Sequence, residues 1–526
     1  MTNASPADHG TRNLTLLILL VTLWRLALAW LLPVTQDEAY YFDWARSLSW
    51  GYFDHPPGVA ALGLGTWLAP GFALAGRLGT LIAATLTLIV LVSFYRRCGL
   101  NSGPAPLLAL VLVAATVPGL GGGVIATPDT GLALCWALAL HEALAALQGD
   151  RRRWLSAGVA VGLGLLAKYP MVLIGPVFLW ALVRTDPKAL RTPWPYLGGL
   201  LALLVFTTHL MWNAEHDWVT MRFQLGHGFS SETGPLISSA LPEAVRIPAP
   251  VADEGPQTLA ERAESVLGYL GTQAALWGLL LIPLVAALSG RAPKAKDAVA
   301  QTLDPRAGPL LWAGTLFPLL FFAWIASLSS PEANWPLTYL MSAAPLAALA
   351  MTRVATWVWV AALGNALLLS LYALHAATAT LPLGDKLDRV LRETHGFREL
   401  AGRAATLDGP VFADGYQTAA MLHFYQPGLA VTQWPGVTRP SEYLRGVIAK
   451  PVPLSQVRDA GGFWLVGRLS YPPQIPGFAP QAPRLLIDCK GAGLTEVPID
   501  TPQQNAPCPR PLHLWQLVRY TLTDGS

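Results

Sequence analysis

The stretch 14-LTLLILLVTLWRLALAWLLPVTQDEAYYFDWARSLSWGYFDHPPG-58 changes character at Pro33. Its first part is an apolar run of roughly 20 residues, enough helix to cross a hydrocarbon core. No small-residue cleavage site precedes the polar part, so the run is expected to be a retained span and not a signal peptide. The second part carries Asp37, Glu38, Asp43 and Asp54, with His55 and the Pro56–Pro57 pair. Carboxylates are costly beside a bilayer unless they face water, a partner or a substrate.

The rest of the chain repeats the contrast. Of 526 residues, 53% are hydrophobic and 13% are charged, where soluble domains carry about a quarter charged residues. This is the composition of a polytopic α-helical membrane protein. About eleven apolar runs have spanning length, near 14–33, 71–94, 104–121, 128–147, 154–168, 170–184, 195–211, 267–288, 309–328, 335–351 and 354–377. From 383 to 526 no long apolar run occurs, and short alternating stretches between Pro- and Gly-rich turns predict a soluble α/β or α+β domain. The expected organisation is therefore a membrane domain over 1–382, with outer loops 35–70 and 212–266, and a soluble domain over 383–526. A net charge of +3 does not point to nucleic acid.

Basic residues orient the chain. Arg96 and Arg97, Arg151 to Arg153, Arg184 with Lys188 and Arg191, Arg291 with Lys294, Lys296 and Arg306, and Arg353 occupy alternate loops, which are assigned to the cytoplasmic side. The carboxylate-rich loops and the C-terminal domain then fall on the other side. In such a compartment Cys489 and Cys508 are disulfide candidates. Cys98 and Cys135 lie at the inner face or in a span, as free thiols.

Five outer segments carry chemistry. In 38-EAYYFDWARSLSW-50 the aromatics recur at helical spacing, predicting a helix along the membrane surface with Tyr40, Tyr41 and Trp44 at headgroup level. Asp37 and Glu38 open that helix. One of them is explained by capping, and the pair suits proton removal or cation binding. Asp54 and His55 sit on a rigid Pro-Pro turn. In 126-ATPDTG-131, Pro128 at a helix start places Asp129 in the first turn. Lys168, between apolar runs, needs an anion or must snorkel; Arg77, early in its span, is similar. Arg222 and His227 in 221-MRFQLGHG-228, and Glu332, Asn334 and Trp335 in 330-SPEANWP-336, complete the outer set. Cations and carboxylates together at a bilayer surface describe a site that holds a phosphate and manages a proton.

These residues, in this order, resemble the GT-C glycosyltransferase superfamily. The likeness is to the branch with protein mannosyltransferases, the lipid A aminoarabinose transferase and the lipopolysaccharide galacturonosyltransferases. It rests on 37-DEAYYFDWARSLSWGYFDHPP-57, 127-TPD-129, 163-LGLLAKYP-170, 211-MWNAEHDWVTMRFQLGHG-228, 333-ANWP-336 and 415-GYQTAAMLHFYQPG-428. The resemblance implies a multi-pass protein of the bacterial inner membrane with its active site and C-terminal domain in the periplasm. It implies a polyprenyl-phosphate sugar donor and an envelope acceptor (lipid A, core oligosaccharide, another glycolipid or a protein). Asp37 is then the base or acceptor-positioning acid, with Glu38 or Asp129 orienting it. Lys168, with Arg77 or Arg222, binds the donor phosphate. Tyr40, Asp54, His55, His227, Glu332, Asn334 and Trp335 are expected to line the substrate. One-step displacement inverts the anomeric centre. No metal-binding motif stands out and no cofactor is called for, though Asp37, Glu38 and Asp129 could together hold a divalent cation. A lipid or sugar transporter and a metal-dependent lipid phosphotransferase are the alternatives.

Overall fold

The structure is a computed structural model that describes residues 6–229, 258–289, 302–383, 388–450, 452–468, 472–490, 493–498, 508 and 511–523, without the side chains of 6–9 and 226–229. Among the described residues, six helices are long and apolar enough to cross a membrane: Gly10–Leu31, Ala73–Arg97, Pro128–Leu147, Trp194–Glu215, Ala307–Ala326 and the run Tyr339–Thr378. Leu259–Ala275 and Gly278–Leu288, bent by 97°, make a seventh if the pair is one span. The bend occurs at Gly278, whose φ of 58° suits glycine, and Asn365 accepts the freed Leu279 N–H.

The expectation of about eleven spans is thereby corrected. The expected span over 104–121 is split into a helix Ala105–Ala114, about 15 Å long and half of what a crossing needs, and the short helix Val117–Gly121. Thr116 caps the latter. The expected spans over 154–168 and 170–184 are Arg153–Ala167 and Tyr169–Thr185, both shorter than a crossing helix and broken where Lys168 adopts an extended backbone. The two expected over 335–377 form one helical run with a tight turn at Thr352–Val354. Apolar composition cannot separate a helix facing lipid from one facing protein. Leu16, Leu19, Leu20 and Leu23 are exposed, as a lipid-facing stripe must be, whereas Leu108 to Ala114 are buried by neighbouring helices.

The basic loops gather at one end. Gln148 bonds both the Arg97 carbonyl and Asp304, Arg306 donates to the Gln148 carbonyl, and Arg151 pairs with Asp186. Arg291, Lys294 and Lys296 lie outside the described residues. Arg77 and Arg97 mark the two ends of one helix, about 30 Å apart by helical rise. The carboxylate-rich loops collect at the Arg77 end.

There the C-terminal part closes over them. Its strands are β1 Val411–Ala413, β2 Val431–Gln433, β3 Gly462–Gly467, β4 Phe478–Pro480, β5 Arg484–Cys489, β6 Gly493–Val497 and β7 His513–Leu522. The sheet order is β2-β1-β3-β7-β5-β6, with β4 also on β7; β1 runs parallel to β2 and β3, and the other pairs are antiparallel. This is a mixed α/β layer. One core holds Trp434, Phe463, Phe478 and Tyr520. Another joins the helices Phe397–Ala404 and Tyr416–Tyr425 to the first-loop helix Gln36–Arg46, sharing Tyr40, Phe42 and Trp44 with Met421, Leu422 and Phe424. Gln36–Arg46 is thus helical as expected, but its aromatics do not lie at headgroup level. Tyr40, Tyr41, Phe42 and Trp44 are buried, covered by a helix almost four hundred residues later. Cys489 and Cys508 are joined, with Cα atoms 5.9 Å apart, and Cys98 and Cys135 are free and buried.

Candidate active site

Segments distant in sequence enclose a cavity of about 510 Å3 between the membrane helices and the C-terminal part. The first-loop helix supplies Asp37. Its N-cap is Thr35, whose hydroxyl accepts the Glu38 N–H while the Glu38 carboxylate returns to the Thr35 N–H at 3.1 Å. That reciprocal cap satisfies the helix start and leaves Asp37 in the first turn with its carboxylate facing the cavity. Tyr416 donates to Asp37 Oδ1 at 3.2 Å. Enclosure by the surrounding protein holds the Asp37 carboxyl above its usual range, opposed by the Tyr416 bond.

Glu38, expected beside Asp37, turns the other way. It is fully buried and forms a two-point pair with Arg77, with Nε–Oε1 2.7 Å and Nη2–Oε2 2.6 Å. Arg77 also donates to the carbonyls of Ala29, Leu32 and Pro33, and Glu38 also accepts the Ala126 N–H. The pair ties the end of the first span, the first-loop helix and the loop before Asp129 into one unit. Neither residue lines the cavity in this structure, although both were expected beside the reacting groups. Arg222 does not line the cavity either. It is exposed on the helix Val219–Phe229, and the next two residues, Phe223 and Gln224, line the cavity in its place. The side chain of His227 lies outside the described residues.

The remaining expected residues converge. Asp129 and Lys168 form an ion pair, with Lys168 Nζ 2.8 and 2.9 Å from the two carboxylate oxygens, and Asn334 Nδ2 donates to Asp129 Oδ2 at 2.8 Å. Pro128 opens the helix that carries Asp129. The helix Arg153–Ala167 ends before Pro170, which lacks an N–H to continue it, and Lys168, with an extended backbone, is buried against Asp129. Asp54 accepts the Tyr40 hydroxyl at 2.8 Å, His55 Nδ1 lies 3.3 Å from Gln224 Nε2, and Glu332 and Trp335 line the wall.

The C-terminal part contributes residues that the sequence reading did not assign: Arg389, Glu393, Tyr416, Gln417 and Arg439. Arg439 pairs with Asp54 at 2.6 Å and lies over the Tyr416 ring at 4.3 Å. Burial works against its charge, but Asp54 and the neighbouring phenols outweigh that and raise its pKa. Arg389 pairs with Glu393 at 2.6 Å. All three lining cations therefore have carboxylate partners, while Asp37 and Glu332 have no ion pair among the described residues. The described residues also contain no cluster of three His, Cys, Asp or Glu side chains placed to hold a metal.

Residues 54–212 match the family model described as dolichyl-phosphate-mannose-protein mannosyltransferase. The crystal structure of ArnT from Cupriavidus metallidurans bound to undecaprenyl phosphate superposes with a TM-score of 0.58 at 15% identity, over 86% of this chain and 93% of that one. The fold is GT-C-like. The apo form of the same ArnT gives a TM-score of 0.58 over 97% of this chain and 98% of that one, also at 15% identity. Among curated proteins, lipid A galacturonosyltransferase RgtD from Rhizobium johnstonii is 28% identical over 234 residues, 42% of this chain. The match spans about half the length of that relative, 48%.

In this GT-C-like frame, Tyr416 was the readable omission. It stands in 415-GYQTAAMLHFYQPG-428, a stretch carrying the resemblance, but nothing local connects its hydroxyl to Asp37. Arg439 has no comparable signal, since it lies in a polar turn and acquires its partners only by folding.

Proposed function

We propose that this protein is a multi-pass membrane glycosyltransferase that moves a sugar from a polyprenyl-phosphate-linked donor to an envelope acceptor, with its cavity on the periplasmic side. What carries the reading is that Asp37 and Lys168, far apart in sequence, line one cavity at the membrane end opposite the basic loops. The ArnT whose fold this chain shares was crystallised with undecaprenyl phosphate. The family match and the similarity to a lipid A galacturonosyltransferase support sugar transfer to a lipid or protein hydroxyl.

In this reaction the acceptor oxygen attacks the anomeric carbon, and the bond from that carbon to the phosphate oxygen breaks. The acceptor proton passes to Asp37, whose raised pKa fits a general base. Negative charge collects on the departing polyprenyl phosphate, and a fixed cation there lowers the barrier. Lys168 is that cation, and Asp129 and Asn334 hold it in place. Displacement in one step inverts the sugar configuration. Arg439, Asp54 and Tyr40 form the wall that the acceptor or sugar hydroxyls meet. The test is to incubate the purified full chain with undecaprenyl-phosphate sugars and lipid A or core acceptors, and to follow free undecaprenyl phosphate by mass spectrometry. Release coupled to a glycosylated acceptor supports the reading; no transfer from any such donor, with folded protein, sinks it.

A further inference from the structure

The first crossing helix contains one charged residue in its interior, Arg25, about 9 Å of helix below Leu31. Its side chain is only 4% exposed. Nη2 donates to the Gly119 carbonyl at 2.5 Å, while Nε and Nη1 are enclosed with no hydrogen-bond partner among the described residues. Arg25 forms no ion pair among the described residues. A guanidinium always carries its charge and presents five N–H groups, and an ionised side chain at this depth is found with a partner or on a substrate path.

The surroundings are built for the side chain. The glycine-rich stretch 119-GLGGG-123, the end of the short helix Val117–Gly121 and the turn after it, packs against it, and a Cβ on Gly123 would lie 2.6 Å from Arg25 Nε. Arg25 also lines a second cavity, of about 310 Å3, whose other walls are mostly apolar, including Leu88, Val113, Ile125 and Leu132, with Thr87, Thr130 and Thr338 among its polar residues. Thr127, Asp129 and Asn334 line both this cavity and the proposed active site. The two spaces therefore border one another at the Lys168 ion pair. Asp129 is already held by Lys168 and Asn334, so the Arg25 charge is matched by nothing in its own cavity.

A largely apolar chamber with one unmatched guanidinium suits an amphiphile with an apolar chain and an anionic head. We propose that Arg25 binds the phosphate of the polyprenyl phosphate released by transfer, with its first isoprene units in the apolar cavity. The ordering follows from charge. The released monoester carries up to two negative charges and the donor diester one, and the cation that still lacks a partner lies one cavity away from Lys168. Rotation of the guanidinium off the Gly119 carbonyl presents Nε and Nη1 to the ligand, and the absent Gly123 side chain leaves room for it. This deepens the donor reading above and rests on it.

The experiment is direct binding of undecaprenyl phosphate to the detergent-solubilised full chain, by native mass spectrometry and fluorescence titration. It needs no turnover, so it is separable from the transfer assay. Arg25→Gln is expected to weaken binding at least tenfold and Arg25→Lys less. Inorganic phosphate and dioleoyl phosphatidic acid, as probes of the head alone and of an acyl anchor, are expected to bind at least tenfold more weakly than undecaprenyl phosphate. Ala133→Phe, which fills the apolar cavity without touching the charge, is expected to weaken undecaprenyl phosphate binding and covers the case in which Arg25→Gln does not fold. Unchanged affinity in folded Arg25→Gln, or in Ala133→Phe, overturns the proposal. Equal affinity for phosphatidic acid overturns the isoprenoid assignment. If the wild type binds undecaprenyl phosphate in an Arg25-dependent way but transfers no sugar, the lipid-phosphate site stands, while its role after sugar transfer falls with the glycosyltransferase reading.

Discussion

Replacing Arg77 by Met separates a keystone from a ligand-binding cation. In the structure Arg77 makes five hydrogen bonds, two to Glu38 and three to main-chain carbonyls at the end of the first span; those to Glu38 and Ala29 are buried and those to Leu32 and Pro33 partly so. Methionine fills a similar volume and keeps none of them. The Glu38 carboxylate would then remain buried with only the N–H groups of Ala126 and Thr35 and the Thr35 hydroxyl to stabilise it. Breaking a buried pair by removing one partner costs about 3–5 kcal/mol, and the orphaned carbonyls add to that. Removing both charges in Arg77→Met/Glu38→Gln eliminates the stranded carboxylate. A double-mutant cycle should therefore recover about 2–3 kcal/mol of the single-mutant loss. Unfolding in mixed micelles with increasing SDS measures both quantities. A role on donor phosphate makes the opposite forecast: Arg77→Met as stable as wild type, with only the donor KM raised. That outcome would refute the keystone assignment.

Asp37→Asn should lower turnover by about 10²–10⁴-fold without moving the thermal midpoint; near-normal turnover removes Asp37 from the mechanism. Because the enclosing cavity walls raise the pKa of Asp37, which itself stays open to the cavity, and a base must be ionised, kcat/KM should fall on the acid side through a pKa above the ordinary 3.8 of aspartate; a pH–rate profile without such a limb contradicts the assignment. Lys168→Ala should raise the donor KM more than the acceptor KM, and an unchanged donor KM excludes the phosphate role. Glu442, which accepts the Phe53 N–H of the first loop, is pushed up to about 7 by burial. The folded state therefore holds that proton more tightly than the unfolded chain, so stability should decline as pH rises from about 4.5 to 7. Glu442→Gln should flatten that decline in melting curves; an unaltered slope assigns it to another group.

The legible part of the fold is the part set by local chemistry. Thr35, Asp37 and Glu38 at a helix start, Pro128 before Asp129, and Lys168 before Pro170 are short-range arrangements that one segment decides by itself. The alternation of basic and carboxylate-rich loops follows from loop composition, and the structure collects the two kinds of loop at opposite ends of one helix. The count of crossing helices was not legible, because an apolar run reads alike whether lipid or protein covers it. Ala105–Ala114 and Arg153–Ala167 show this.

The choice between neighbouring acids also required three dimensions. Asp37 and Glu38 are adjacent on a helix, and successive residues point about 100° apart. Which of the two reaches the cavity depends on where Arg77 stands, and Arg77 comes from the next crossing helix. The wall formed by Tyr416 and Arg439 depends on the C-terminal sheet docking over aromatics that, in the sequence alone, suit a lipid surface equally well. Local order thus determined which segments are helical, which loops are polar and which residues carry charge. Tertiary structure decided which charges cancel inside the protein and which face the cavity, because long-range ion pairs and burial arise only once separate helices share a core.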